Sequence, residues 1–341
     1  MEAQRISTES TAIASSRAAT RTWSHPAPFR FLRVGGCVLF AGAIVFEHAE
    51  RLGISVMLKL QETENDQDMD GGDLGTERKL YLREIVARFG HLLAVHFNLG
   101  EENSQTPRQV RDMARWVSEL DPYGHLVTIH NQSPRSEPRL EALLGPQLGT
   151  ASQLTGASIQ ADWDDVHRDV LHWIARSDAA GRPWSVSNDE QGVAGDGIMP
   201  DNLWPSANAR HSRVAQVLWG TLMAGGTGVE AYFGGSSTGC GDLNCGDMRR
   251  RARWWEHCNA VLQFFRAIPF WEMSSADQLV RNGDFCFRRR TQIYAVRTAF
   301  PRCHCSGPCS MTLAFSFRRQ SFSAVVSQFQ FHCMTRLHFI T

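Results

Sequence analysis

Leu92–Asn103 reads LLAVHFNLGEEN, an apolar run of strand composition that ends abruptly in Glu101, Glu102 and the amide of Asn103. Short, nearly continuous apolar runs bounded by polar residues predict strands buried on both faces. Pro183–Gly192, PWSVSNDEQG, repeats the plan with Asn188, Asp189 and Glu190. Two buried strands that each deliver acids at their C-terminal ends point to an active site on an α/β scaffold.

The chain around these two stretches alternates in the same sense. Ile54–Leu60 (ISVMLKL) predicts a strand that runs into the acidic loop QETENDQDMDGGD. Leu82, Ile85, Val86 and Phe89 recur at helical spacing, and Gly53 and Gly90 mark helix ends. Thr106, Pro107 and Gln109 spell a capping-box start for a helix with Val110, Met113, Ala114 and Val117 on one face. HLVTIH, ending at His130, and Ala157–Gln160 predict further strands. Asp162 is placed to cap a helix carrying Val166, Val170, Trp173 and Ile174. Val214, Val217, Leu218 and Leu222 mark a helix before the strand GVEAYF, and a last helix carries Trp255, Cys258, Leu262 and Phe265.

Strands alternating with helices imply parallel βαβ units. No GxGxxG or P-loop opens any of the helices, which weakens an open nucleotide-binding sheet. Glu62, Glu101, Glu102, His130, Gln160, Glu190 and Tyr232 each stand at a strand's C-terminal end. A (β/α)8 barrel gathers such ends on one face, so the expected fold class is α/β of TIM-barrel type.

Formal net charge is zero, with 35 basic and 35 acidic residues, which argues against nucleic acid or a polybasic membrane surface as partner. All the basic residues except Lys59 and Lys79 are arginine. No apolar run reaches the roughly 18 residues of a membrane span. Val34–Phe46 has the length of a signal-peptide core, but it runs straight into a helix pattern. Nine cysteines are an odd number; Cys240 and Cys245 in CGDLNC could close a small disulfide, and the sequence does not establish the pairing. Cys303, His304, Cys305 and Cys309 lack the spacing of a zinc knuckle.

Several motifs together are distinctive: QETEND, the GGDLG-ERKLY-RE-ARFGH block, NLGEEN, DPYGH, GRPW-V--DEQG, QVLWG-LMAGG-GVE-YFG and IPFWEM. Over Ile44–Val296 the chain resembles bacterial glycoside-hydrolase-like TIM-barrel proteins of clan-A type, which often carry a C-terminal domain assigned to collagen binding. The resemblance implies an acid/base after strand 4 and a nucleophile after strand 7. With the Ile54 strand as the third, the Leu92 strand is fourth and the Pro183 strand seventh. The clan's W-E-L-x-N-E run, laid over Phe97–Glu102, puts Glu102 at the acid/base and Glu101 where asparagine is usual. Glu190 is then the nucleophile, and Glu101 is kept as an alternative acid. The resemblance also implies export to the periplasm or beyond, a carbohydrate partner and no required cofactor.

Glycosidic hydrolysis needs one protonated and one ionised carboxyl. Glu62, Asn98, His130, Gln160, Trp163, Asn188 and Tyr232 are candidates for sugar hydroxyls or stacking. Asp66, Asp68, Asp70 and Gly71, followed after five residues by Glu77, match the spacing of an EF-hand loop, so Ca2+ is a second expectation for that segment.

The expected organisation is a non-family segment over 1–43, a (β/α) barrel over 44–272 with strands 3 to 8 recognisable, the start of a β domain over 273–299, and a non-family tail over 300–341. That tail contains no Asp or Glu, and both ends read as out of frame or wrongly delimited. The functional readings are therefore a retaining glycoside hydrolase, a non-catalytic carbohydrate-binding barrel, and a truncated product without activity.

Overall fold

The computed structural model describes residues 42–131, 136–145, 152–191, 197–203, 206–231, 248–280, 284–290, 292–296 and 315–317. It is a mixed α/β protein with two compact units, Met1–Ser158 with Ala180–Trp184, and Ile159–Ala179 with Ser185–Thr341. No helix among the described residues is long and apolar enough to cross a membrane.

In the first unit a helix over 42–51 (α1) precedes strand β1 (Val56–Lys59). Helix α2 (Thr76–Phe89), strand β2 (Val95–Asn98), helix α3 (Pro107–Leu120) and the short strands β3 (Val127–Thr128) and β4 (His130–Asn131) follow. β1, β2 and β3 form a parallel sheet in that order, with Lys59 opposite Asn98 and Phe97 opposite Val127. Beyond α4 (Ser136–Leu144), strand β5 (Gly156–Ala161) begins, and Ser158 N–H donates to the Ile129 carbonyl.

The helical stripes bury as their spacing requires. Leu82, Ile85, Val86 and Phe89 of α2, and Val110, Met113, Ala114 and Val117 of α3, are all buried. At about 1.5–3 kcal/mol for each large side chain, this burial is what holds the helices on the sheet. Thr106 and Gln109 form the reciprocal capping box, with Pro107 at the first helical position. Thr106→Ala removes one cap bond, and an equilibrium urea titration is expected to show a loss of about 1 kcal/mol. Gly53 is left-handed at φ 73°, whereas Gly90 stays right-handed at φ −66°. Its role is close approach, since a Cβ there would stand 2.6 Å from the Val86 carbonyl.

The DPYGH motif is a built turn. The Asp121 carboxylate accepts from the N–H groups of Tyr123 and His125 and faces the His125 ring, whose other nitrogen lies 2.9 Å from the Leu92 carbonyl. The motif thereby ties the end of α3 to the entry of β2.

In the second unit the end of β5 is followed by α5 (Val166–Ala179), β6 (Ser185–Gln191), α6 (Ser206–Met223), β7 (Gly228–Val229) and α7 (Ala252–Arg266). β6 runs parallel to β7, with Asn188 opposite Val229. An antiparallel sheet completes it, ordered β11 (Phe315–Phe317), β10 (Gln292–Val296), β9 (Phe285–Arg289), β8 (Ser274–Ser275).

Three expectations need correction. The α7 core stripe is Trp254, Val261 and Phe265, while Trp255 is 41% and Leu262 53% exposed. Two lines of helical spacing run through RWWEHCNAVLQFF and share Phe265, and the one that carries Trp254 and Val261 is buried. Asp162 lies ahead of α5, which starts only at Val166, so the cap expectation fails there. β6 spans Ser185–Gln191, so Asn188, Asp189 and Glu190 lie in the C-terminal half of the strand. Among the described residues of GVEAYF the strand is Gly228–Val229, and Glu230 and Ala231 lie outside it. The alternating parallel α/β layout is present, and the described residues form no closed barrel. Cys258 and Cys286 are free thiols, and the Cys240–Cys245 loop lies outside the described residues.

Candidate active site

The C-terminal ends of β1, β2 and β4 assemble one polar group in the first unit. Gln61 accepts the Glu101 backbone N–H at 2.9 Å and Glu62 forms a parallel bridge with Glu101, so the chain after β2 is carried on as an extra rung. The Glu101 carboxylate meets Lys59 Nζ at 2.5 Å, with both side chains more than four-fifths buried. A carboxylate oxygen of Glu101 and a ring nitrogen of His130 lie within 4.8 Å. His130 is fully buried, and its Nδ1 is 2.9 Å from Ser158 Oγ. Burial, with Lys59 adding to it, pulls the His130 pKa from 6.5 down to about 4, against the opposing pull of Glu101.

That shift has a consequence for stability. The unfolded chain takes up a proton at His130 near pH 6.5, while the folded chain does so only near 4. Folding stability is therefore complete above the unfolded value and falls between pH 6.5 and 4, by about 3 kcal/mol for this group. His130→Asn is expected to flatten the fall, and urea titrations at several pH values across that window measure it.

A buried network fixes the loops that carry this group. Arg78, 1% exposed, donates to the Gln61 side chain and to the carbonyls of Asp66, Met69 and Asp73. Gln61 in turn donates to Gln105, and Arg139 donates to Asn103 and Gln105. Thus the backbone that receives Glu101 is itself held by Arg78.

In the second unit Glu190 is buried, and its Oε2 accepts from Gln160 Nε2 at 2.6 Å. Asn188 is a brace between strands: its Oδ1 accepts the Ala161 N–H and its Nδ2 donates to the Glu190 carbonyl. Asp189 and Trp163 are buried as well.

The other expected residues separate clearly. Asn98 is buried and braces the β2 end through Gly100 N–H and Met57 sulfur. Glu62 is half-buried at the β1 mouth, and its N–H donates to Asn65. Glu102 sits at φ 41° next to the group; the side chain that joins Lys59 and His130 is Glu101. Tyr232 lies outside the described residues.

The EF-hand-like loop has another task. Asp66 accepts from the Ser104 N–H at 2.6 Å and the Ser104 hydroxyl at 2.8 Å, and Asp70 accepts the Arg78 N–H in the first turn of α2. Among the described residues Asp66, Asp68, Asp70 and Glu77 do not converge as a set of ligand atoms. The spacing matches a calcium loop, but Asp66 and Asp70 have taken protein donors.

Sequence reasoning missed three residues. Lys59 was legible only as one of two lysines. Thr128 and Asn131 flank the β3–β4 break, both buried, and the Thr128 hydroxyl and both Asn131 amide atoms lack a hydrogen-bond partner among the described residues. A buried polar group costs about 1–3 kcal/mol when unmatched, so Thr128 and Asn131 mark this mouth as built for more than packing.

No family model matches the chain, and no curated protein matches it. Among solved structures it is similar to a candidate glycoside hydrolase from Bacteroides vulgatus, with 15% identity and a TM-score of 0.58 over 87% of this chain. This chain spans 60% of that protein's length. At this identity the likeness is one of fold.

Proposed function

We propose that the chain is a glycoside hydrolase that cleaves a poly- or oligosaccharide with Glu101 and Glu190 as its carboxyl pair. The observation that carries this reading is a carboxylate at the C-terminal end of each of two parallel strands. Glu101 is held by Lys59 beside His130, and Glu190 is held by Gln160. The fold likeness to a candidate glycoside hydrolase supports the same class. The architecture proposed is a TIM-barrel arrangement in which β1, β2, the broken strand β3–β4, β5, β6 and β7 supply strands 3 to 8, followed by the start of a C-terminal β domain.

In the retaining form of the reaction one glutamate attacks the anomeric carbon as the glycosidic C–O bond breaks. The other gives its proton to the leaving oxygen, and then takes one from the water that hydrolyses the glycosyl ester. Carboxyl groups about 5–5.5 Å apart serve this course, and wider pairs serve inversion.

Purified chain incubated with a panel of plant and algal polysaccharides and aryl glycosides is expected to release reducing ends. Glu102→Gln is expected to stay within about 3-fold of wild type, since Glu101 takes the role expected of its neighbour. Glycan-array binding with no turnover on any panel member would instead support a non-catalytic carbohydrate-binding protein.

A further inference from the structure

We infer that Asn131 is a substrate-binding residue of the mouth that holds Glu101, and that its side-chain amide takes two neighbouring hydroxyls of a sugar ring. The class of ligand rests on the glycosidase reading. The placement and the unmatched amide are features of the first unit alone.

The argument begins with register. Asn98 of β2 stands opposite Thr128 of β3, and beyond the β3–β4 break the His130 N–H donates to the Gly100 carbonyl at 3.0 Å. Carried on to the end of β4, that register sets Asn131 level with Glu101, as Glu62 is level with it on the other side. Neighbouring strands lie about 4.8 Å apart, so Asn131 stands one strand away from the backbone of Glu101. The Lys59 and Glu101 side chains, at 18% and 17% exposure, are in contact with solvent, so a ligand reaches this rung from outside.

Within the rung Asn131 is 2% exposed, and neither its amide nitrogen nor its amide oxygen has a hydrogen-bond partner among the described residues. The other buried amide side chains described in this unit are all bonded to protein groups: Gln61, Asn98, Asn103, Gln105 and Gln109. In the unfolded chain water satisfies Asn131, so folding withdraws that hydration and returns nothing for it. A ligand that completes the bonding explains why the amide is kept.

The amide also selects the ligand. It presents donors on nitrogen and an acceptor on oxygen side by side. A sugar hydroxyl both donates and accepts, so two hydroxyls on adjacent ring carbons match the pair, one accepting from the nitrogen and one donating to the oxygen. A carboxylate or phosphate only accepts, and it would leave the amide oxygen unmatched.

The test compares an aryl glycoside that the full-length protein cleaves with its monodeoxy analogues, each lacking one ring hydroxyl. Wild type is expected to lose about 10-fold or more in kcat/KM on two analogues whose missing hydroxyls are adjacent. Asn131→Leu keeps the branched shape of the side chain without its polar atoms. It is expected to lose about 10-fold or more on the parent glycoside, and to cleave the parent and those two analogues within about 3-fold of one another. Its urea midpoint should be no lower than that of wild type, since the group removed has no partner in the free protein. If Asn131→Leu unfolds, Asn131→Ala carries the kinetic comparison. Discrimination between parent and deoxy glycosides that survives in the variant overturns the inference and leaves the glycosidase reading standing. A lowered midpoint with discrimination intact does so too, and makes Asn131 a brace. Absence of any glycan turnover or binding by wild type strikes the glycosidase reading, and the inference with it.

Discussion

Glu101→Gln and Glu190→Gln are each expected to lower kcat/KM on a cleavable glycoside by roughly 1,000-fold or more. Glutamine keeps the volume and one acceptor of the side chain, but it can neither attack the anomeric carbon nor move a proton. Each carboxyl acts on a different part of the same transition state, so losing either removes most of the acceleration. The double variant is expected to fall little below the worse single one, because groups that act as a unit are not additive. Steady-state kinetics on one substrate, with circular dichroism as the control, measures both effects.

The second large effect lies in the framework. Arg78→Met is expected to cost about 3–5 kcal/mol of folding stability, read by urea denaturation. Arg78 is buried, and its guanidinium satisfies three backbone carbonyls and the Gln61 side chain. Methionine fills the volume but leaves those acceptors in a space that water does not reach, and each unmatched acceptor costs about 1–3 kcal/mol. The damage should extend to the site, because Gln61 also receives the Glu101 N–H. A variant that is less stable but fully active would separate the network from the site.

Much of the scaffold was legible because its signals are local. The α2 and α3 stripes, the Thr106 capping box and the alternation of strand and helix follow from spacing and cap chemistry within a few residues of each element. The α7 face was misread because RWWEHCNAVLQFF offers two apolar lines that share Phe265, and only packing against the rest of the fold buries the line of Trp254 and Val261. The site was half legible. Strand ends rich in acids pointed to Glu102 and Glu190 with Glu101 as the alternative, and the proposal of Glu101 in place of its neighbour rests on the extra rung that Glu62 and Gln61 give to Glu101. That rung is a long-range pairing, invisible to a reading of residue order. Lys59 illustrates the same limit from the other side. Its rarity was plain, but its meaning lies in a contact across forty-two positions of sequence.

The calcium expectation shows how a spacing match is answered by partners. Asp66, Asp68 and Asp70 alternate as ligands would, yet Asp66 faces Ser104 and Asp70 caps α2. Carboxylates already satisfied by backbone N–H groups gain little from a cation. Here the loop anchors the chain that presents Glu101.

The central claim is that Glu101 and Glu190 form a glycosidase pair that works through a glycosyl-enzyme ester. The most direct measurement is the anomeric configuration of the first product released, followed by proton NMR within the first minutes of hydrolysis, before mutarotation. The account predicts product of the same anomeric configuration as the substrate, with no release above background in either Glu101→Gln or Glu190→Gln. Product of inverted configuration, or release at the wild-type rate from either variant, would contradict it.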